Sequence, residues 1–273
     1  MVRNPAWLGN AALALLSITS ILAWHTALRQ PDPRLRVTVL NVGQGDAVLI
    51  ESPTGGRVLV DGGPTASTLS SLLGRRLPLF DRRLDWVVIA APEDEHVAGL
   101  FGVLGQNTVG KVLVSGEPGR TGAYRDLLEA FSKAGTEVIP AETGQVLDLG
   151  DGITLRVVNA GKYGAILELN WDRASFLLPI GMDGATLEAL LAQNRFPAAH
   201  GLLLPDHADM ALYSDDFIWA VNPGLGVVSK SGESVLSPNV VNRLRDRTLL
   251  RTDVKGWVEW ATDGRRVWVT TER

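Results

Sequence analysis

The apolar and polar positions divide the chain into an apolar N-terminal stretch and a long remainder in which short strands alternate with helices. No charged residue lies between Arg3 and Arg29, and residues 6–28 are mostly Ala, Leu, Ile and Trp. A helix of that length, rising about 1.5 Å per residue, crosses the roughly 30 Å hydrocarbon core of a bilayer. Trp7 and Trp24 lie near its ends, as is typical of the membrane interface. We predict a membrane-spanning helix, and the alternative is a cleaved signal peptide.

The segment Gln30-Pro31-Asp32-Pro33 ends this stretch, because proline lacks a backbone N–H and restricts the residue before it. The sequence therefore predicts a membrane anchor over residues 1–30 and one folded domain over residues 31–273.

Beyond Pro33, β-branched runs bounded by Gly and Pro predict strands. These are residues 36–42, 47–51, 58–60, 86–90, 111–114, 155–158, 166–169, 176–178, 202–204, 225–228, 258–260 and 267–269. Apolar residues at helical spacing predict helices through residues 124–131, through residues 187–191 and from Ser237-Pro238 onward. This order favours an α/β domain in which two sheets pack face to face with helices outside.

Composition restricts the chemistry that is open to this domain. With 45% hydrophobic and 21% charged residues, the 273-residue chain can build one large globular core. The absence of cysteine excludes disulfides, thiolate catalysis, iron–sulfur clusters and cysteine zinc sites, so His, Asp or Glu would have to hold any metal ion. A net charge of −4 gives no overall attraction to nucleic acid or anionic lipid.

Two glycine-rich turns carry a family resemblance. Gly43-Gln44-Gly45-Asp46 lies between the first two predicted strands, and Asp61-Gly62-Gly63 follows the third. With the preceding apolar segment, the junction at residues 90–99 and the tail at residues 252–260, they resemble the metallo-β-lactamase-like domain of ComEC-type competence proteins, the membrane channels of bacterial DNA uptake. The resemblance covers residues 34–270. It implies an αββα sandwich with a metal site between the sheet edges and places Asp61 behind the metal ligands.

The first ligand motif of that family is altered in this chain. Its Ser/Thr-His-x-Asp-x-Asp-His pattern corresponds to Ala90-Ala91-Pro92-Glu93-Asp94-Glu95-His96. Ala91 replaces the first histidine, and a methyl group cannot bind a metal. Glu93 and Glu95 replace aspartates, which moves the carboxylate oxygens by about a bond length in a site that tolerates roughly 0.2 Å. Of the implied histidines in this motif, only His96 remains.

The later ligand motifs are altered as well. Met182 stands where the resemblance implies a bridging carboxylate, and the neighbouring Asp183 is expected to point elsewhere on a strand. The segment Asp206-His207-Ala208-Asp209 replaces a His-His-Gly-Ser motif, and the late His-Pro of the family becomes Ser237-Pro238. The remaining candidate metal ligands are Glu93, Glu95, His96, Asp183 and His207.

Each candidate also has a structural interpretation. Residues 93–96 are more simply a helix N-terminus, where acidic side chains complement the helix dipole. Gly43 and Gly45 are turn residues that permit positive φ, and Asp61 is equally well explained as a turn cap. His207, between two aspartates, is more often an ion-paired loop histidine than a metal ligand.

Three functional hypotheses follow. The favoured one is a membrane-anchored pseudoenzyme that keeps the fold without hydrolysis and binds no cofactor. Its partners would be the membrane, through residues 6–28, and a DNA-uptake channel or another membrane protein. It is expected to be a single-pass protein of the bacterial cell membrane with its domain on the extracytoplasmic side. One candidate span cannot form a channel, so any transport role needs such a partner.

The second hypothesis is an active metal-dependent phosphodiesterase or nuclease with a rebuilt, carboxylate-rich site that holds Mn²⁺ or Zn²⁺. The third is a metal-free nucleic-acid-binding domain. Arg243 and Arg247 lie one helical turn apart, with Arg245 and Arg251 nearby, and such a basic face can contact phosphates. A solvated face interrupted by Asp246 is the simpler interpretation of these arginines.

Overall fold

The computed structural model describes residues 15–17, 19–20, 33–78, 80–117, 120–204, 213–229 and 238–273. Residues 15–17 and 19–20 are helical. No helix within the described ranges is both long and apolar enough to cross a membrane. Most of the apolar segment 6–28 lies outside those ranges, so its membrane-spanning helix stays a prediction. The unit Arg34–Arg273 contains both sheets.

Within these ranges the chain forms fifteen strands. They are β1 Leu35–Val39, β2 Val48–Glu51, β3 Arg57–Val60, β4 Arg83–Ile89, β5 Thr108–Val114, β6 Glu137–Pro140, β7 Val146–Asp148, β8 Thr154–Gly161, β9 Gly164–Trp171, β10 Ala174–Leu178, β11 Gly201–Leu204, β12 Leu225–Val228, β13 Thr248–Arg251, β14 Val258–Thr262 and β15 Val267–Thr271.

The described helices join these strands. They are α1 Ala66–Arg76, α2 Asp94–Val97, which continues as a 3₁₀ turn over Ala98–Gly102, α3 Gly122–Lys133, α4 Gly184–Ala192, α5 Asp215–Val221, α6 Pro238–Arg243 and α7 Thr252–Lys255.

The strands form two sheets. The eight-stranded sheet has the order β15-β14-β1-β2-β3-β4-β5-β6, and the seven-stranded sheet has the order β13-β12-β11-β10-β9-β8-β7. In the first sheet, β3 to β6 are parallel and the other pairs are antiparallel. In the second sheet, β10 to β13 are parallel and β7 to β10 are antiparallel. Each sheet thus joins an antiparallel half to a parallel half.

Three apolar layers hold the sandwich together. Side chains from the inner faces, such as Val37, Leu167 and Trp260, form the core between the sheets, and Phe176 stacks on Trp260 at 5.1 Å between ring centroids. A second cluster seats α1 and α3 on the eight-stranded sheet, and a third seats α4 and α5 on the seven-stranded sheet. Burial of each large apolar side chain contributes about 1.5–3 kcal/mol. The predicted layering, helices outside two sheets, is confirmed.

The local predictions hold wherever hydrophobic periodicity is strong. Every predicted strand is present, as are the predicted helices that correspond to α3, α4 and α6. The short edge strands β6, β7 and β13 were not predicted. Helix α1 was also not predicted, because its sequence is rich in Ser and ends in Gly-Arg-Arg, and it buries only Leu69, Leu72 and Leu73.

Candidate functional site

Three chain segments meet at one end of the eight-stranded sheet. They are the turn around Asp46 between β1 and β2, the turn after β3, and the start of α2 after β4. Backbone hydrogen bonds join all three: Gly62 donates its N–H to the carbonyl of His96 at 2.8 Å, and Gly63 donates to that of Asp46 at 2.9 Å. The turns that carried the family resemblance therefore form one assembly with the altered ligand motif.

Close backbone contact at Gly45 explains its residue type. Gly45 has a φ of +90°, and a Cβ at this position would lie 2.0 Å from the carbonyl oxygen of Glu95. Only glycine satisfies both the conformation and the contact. The structural interpretation of this turn is therefore sufficient to explain the glycine.

A buried cluster of three ionisable side chains lies inside this assembly. His96 Nδ1 is 3.2 Å from Asp61 Oδ2 and 3.7 Å from Asp46 Oδ2. His96 is 3% exposed and both aspartates are fully buried. The other Asp61 oxygen, Oδ1, accepts a hydrogen bond from the N–H of Ala90 at 2.7 Å. The imidazole thus faces two carboxylates that come from two different turns.

The charges of this cluster set its protonation. Burial alone would lower the pKa of His96, but the hydrogen bond and negative charge of Asp61, with the charges of Asp46 and Glu93, outweigh burial and raise that pKa to about 9. Burial raises the pKa of Asp61, and His96 opposes that rise. The neighbouring aspartates therefore favour the protonated, imidazolium form of His96 at neutral pH.

Buried hydroxyl groups surround the cluster. Tyr124 donates its hydroxyl hydrogen to the carbonyl of Ser115 at 2.9 Å, and Ser229 donates to the carbonyl of Gly45 at 2.7 Å.

Burial and the charge of Asp61 raise the pKa of Tyr124 to about 12, and burial and the charge of Asp46 raise the pKa of Tyr213. Both phenols therefore stay protonated beside the carboxylates.

Glu93 and Glu95 lie at the start of α2, as the helix N-terminus interpretation predicted. Glu93 is the residue before the helix, and its Oε1 is 2.9 Å from Arg120 Nε. Arg120 in turn stacks over the ring of Tyr163, 4.6 Å from its centroid. Glu95 is half-buried in the first turn. The Glu93 carboxylate is therefore paired with a cation at the surface of the domain.

Asp183 has a structural position of its own. It lies beyond the end of β10, not on a strand as its neighbourhood suggested, and its Oδ1 accepts the N–H of Thr186 at 2.8 Å as the N-cap of α4. Its neighbour Met182 is buried in the apolar cluster under α4. Asp183 lies at a helix end and does not join the cluster of Asp46, Asp61 and His96.

Apolar packing occupies the position where the resemblance implies the first histidine. Ala91 is 2% exposed and belongs to the core between the sheets, together with Ala165 and Ile180. Backbone hydrogen bonds close the sheets at this point: Ala165 donates to the carbonyl of Ala90 at 2.7 Å, and Gly181 donates to that of Ala165 at 2.9 Å. The ends of the two sheets are in direct backbone contact here.

In the part of the chain that the structure describes, no three His, Asp or Glu side chains form a group that could hold a metal ion. His207 lies in residues 205–212, outside the described residues, so its role stays a prediction. The sequence predicts only that Asp46 lies in a turn, and no local pattern marks it as buried.

The C-terminal arginines are engaged within the domain. Arg243 Nε contacts Asp215 Oδ1 at 2.5 Å, and Arg247 donates to the carbonyl of Pro223 and to Asn222. Arg251 pairs with Asp253. Arg243 and Arg251 are thus paired with carboxylates, which reduces the positive charge that these two residues offer to phosphates.

Comparisons with known proteins concern the fold. No family model and no curated protein matches the sequence. The chain is similar to the metallo-β-lactamase fold protein YhfI from Bacillus subtilis, with 15% identity, a TM-score of 0.53 and coverage of 81% of this chain and 96% of that one. It is similar to Zn²⁺-bound PqqB from Methylobacterium extorquens, with 11% identity, a TM-score of 0.55 and coverage of 78% and 97%.

A third similar structure is CmlA, a diiron β-hydroxylase from Streptomyces venezuelae, with 14% identity and a TM-score of 0.56. The alignment covers 83% of this chain and 54% of CmlA, so the chain matches about half the length of that protein. Together these likenesses establish that the domain has the metallo-β-lactamase fold.

Proposed function

We propose that this chain is a non-hydrolytic pseudoenzyme of the metallo-β-lactamase fold, anchored in the bacterial cell membrane as an accessory module of DNA uptake. One observation carries the non-hydrolytic part of the proposal. His96, the histidine that remains from the altered motif, lies buried between Asp46 and Asp61. It stabilises the meeting point of three turns.

The described donors do not fit a catalytic metal ion. Metal ligands must be deprotonated and must converge while leaving a position open for water or substrate. His96 Nδ1 instead faces Asp61 Oδ2 at 3.2 Å, inside the buried cluster. Glu93 is paired with Arg120, and Asp183 caps α4. The carboxylates of Glu93 and Asp183 are therefore engaged in other contacts.

The substituted positions support the same conclusion. Ala91 and Met182 are buried among apolar side chains, so a ligand could return at either position only by displacing part of a packed cluster. The buried charged side chains of Asp46, Asp61 and His96 meanwhile hold their three turns in contact. A domain with this arrangement serves as a scaffold for contacts with other molecules.

The membrane and DNA-uptake parts of the proposal rest on the sequence. Residues 6–28 are apolar and long enough to span, and the two glycine-rich turns resemble those of ComEC-type proteins. The proposed orientation places the domain on the extracytoplasmic side, beside a separate channel.

Metal content and hydrolysis together test the loss of activity. The full chain would be purified in detergent, dialysed against Mn²⁺ and Zn²⁺, and measured by elemental analysis and by hydrolysis of single- and double-stranded DNA. We expect far less than one ion per chain and no cleavage above a metal-only control. Near-stoichiometric metal that Glu95→Gln removes, with DNA cleavage lost in parallel, would establish the hydrolase instead.

A genetic test addresses DNA uptake. Deletion of this coding sequence is expected to lower transformation frequency, and expression of either the native chain or Glu95→Gln should restore it equally. Unchanged transformation in the deletion strain would contradict the DNA-uptake role, while leaving the non-hydrolytic assignment intact. Restoration by the native chain alone would show that Glu95 is needed, contrary to the pseudoenzyme proposal.

A further inference from the structure

The four edges of the two sheets differ in how they resist pairing with another strand. β6 ends in Pro140, β7 has only three residues and ends in Asp148, and β13 ends in Arg251. Proline, shortness and charge are the usual means by which proteins block an exposed edge. β15, with the sequence Val-Trp-Val-Thr-Thr, has five residues and contains neither proline nor charge. Within the described sheets, it is the unprotected edge.

Two large apolar side chains of β15 are accessible. Trp268 is 38% exposed and Val269 is 40% exposed. Trp268 lies on the face of the sheet away from the core, where Arg34 stacks over its ring at 5.5 Å. Val269 lies opposite Trp260 and therefore on the core face, at the rim of the sandwich. Both faces of this edge can gain apolar contacts from an added strand.

The hydrogen-bonding direction of β15 follows from its pairing with β14. Glu272 donates its N–H to the carbonyl of Trp257 at 3.1 Å, in continuation of the antiparallel register. Because successive residues alternate in direction, Val267, Val269 and Thr271 present their N–H and C=O groups away from β14. An added antiparallel strand can pair with these three residues.

We infer that β15 pairs antiparallel with β15 of a second copy of this chain, about a two-fold axis at Val269. In this register Val269 faces Val269, and Val267 faces Thr271, so every residue with outward backbone groups meets another such residue. Centring the axis on Trp268 or Thr270 shortens the overlap. The Val269 register thus satisfies the largest number of backbone groups.

Charge complementarity selects the same register. It places Arg266 of each copy opposite Glu272 of the other, on the same face of the sheet, at both ends of the paired segment. Arg266 is exposed, and the side chain of Glu272 is partly accessible, with its carboxylate 4.0 Å from Arg75 and accepting the N–H of Trp257 within its own chain. The contact is the same patch on each subunit, as in an isologous dimer, and it merges the two eight-stranded sheets into one. This inference does not depend on the loss of hydrolysis.

Single-cysteine cross-linking tests the dimer directly, because the chain contains no cysteine of its own. Paired residues in this register have Cα atoms about 5.5 Å apart, within disulfide range. Full-length Val269→Cys, in detergent, is therefore expected to form a covalent dimer on mild oxidation or with a short bismaleimide. The matched control is Val146→Cys, since Val146 is 51% exposed on the edge strand β7. Equal cross-linking at both positions, or none at Val269→Cys, would overturn the proposal.

A charge exchange tests the register without new covalent bonds. Arg266→Glu places two glutamates opposite each other at each end, and is expected to raise the dimer dissociation constant in sedimentation equilibrium at least several-fold. The double variant Arg266→Glu, Glu272→Arg should restore dimerisation. A native full chain that remains monomeric at high micromolar concentration would refute the dimer, and an Arg266→Glu variant with native affinity would refute the register.

Discussion

At the scale of single residues, His96 connects three turns. Its Nδ1 lies 3.2 Å from Asp61 Oδ2 and 3.7 Å from Asp46 Oδ2, and its backbone carbonyl accepts the N–H of Gly62. Residues 46, 61 and 96 come from three separate turns, and no local pattern links them. This is why sequence analysis named His96 and Asp61 but assigned Asp46 only to a turn.

The ion cluster predicts a pH dependence of folding. The folded-state pKa of His96 is raised from 6.5 to about 9, so its stabilising contribution is fully present below pH 6.5 and is lost as pH rises through 9. The shift corresponds to roughly 3 kcal/mol. Denaturant unfolding of the native chain between pH 6 and 10 should show this loss, and His96→Asn should be less stable and should lack the part of the fall that His96 contributes between pH 6.5 and 9. A native profile without this fall would contradict the assigned protonation.

Gly45 allows steric contact to be separated from backbone strain. Gly45→Ala is expected to destabilise the fold by at least about 2 kcal/mol, because it adds both a disfavoured φ and a Cβ clash. Gly55 has the same φ of +90° with no atom within 4 Å of the added Cβ, so Gly55→Ala measures strain alone. Chemical unfolding of both variants should show the larger loss at Gly45. Equal losses would mean that the contact with Glu95 is not a constraint.

At the scale of elements, strands that are buried on both faces can be predicted from the sequence, whereas short edge strands of mixed polarity cannot. Strands such as β11 and β12 are buried on both faces, and their continuous runs without polar side chains make them recognisable. β6 and β7 are edge strands with mixed polarity, and tertiary pairing rather than their own pattern makes them strands. Helix α1 is held by three leucines against the sheet, in spite of Ser and Gly residues that weaken a helical pattern.

Helix α4 provides a test of the role of Asp183. Asp183→Ala removes the N-cap contact with Thr186 and is expected to lower stability by about 1 kcal/mol, while Asp183→Asn keeps an oxygen acceptor and should cost less. Thermal unfolding of both variants measures the difference. If Asp183→Asn also changed the metal content of the protein, the carboxylate would have a function beyond capping.

At the scale of the whole molecule, the fold is retained while most of the metal-ligand positions implied by the family resemblance carry other residues. The layering of helices outside two sheets was predicted from the order of elements, and the chain is similar to three solved structures, the metallo-β-lactamase fold protein YhfI among them, at identities of 11–15%. Packing tolerates such divergence when volume and apolar pattern are kept. A metal site tolerates far less, because its ligands must converge within a few tenths of an ångström.

Ligand-dependent stability gives a prediction for the whole domain. A ligand that binds only the native state raises the unfolding temperature in proportion to its binding free energy. We expect the unfolding temperature of the full chain to be the same in EDTA, in Mn²⁺ and in Zn²⁺. A rise of several degrees in either ion, reversed by EDTA and absent in Glu95→Gln, would indicate a native-state metal site.

The pairing of β1 with β14 has a consequence for biosynthesis. The register pairs Leu35 of β1 with Thr262 of β14, so β1 cannot complete its pairing until β14, near the end of the chain, has been synthesised. Such distant contacts slow folding, because a long loop must close before any pairing energy is gained. As the domain emerges from its N-terminal end, β1 to β6 can associate early while one side of β1 stays open. The unpaired side of β1 is therefore exposed until almost the whole domain has emerged, and binding by a chaperone during this interval would prevent pairing with the wrong strand.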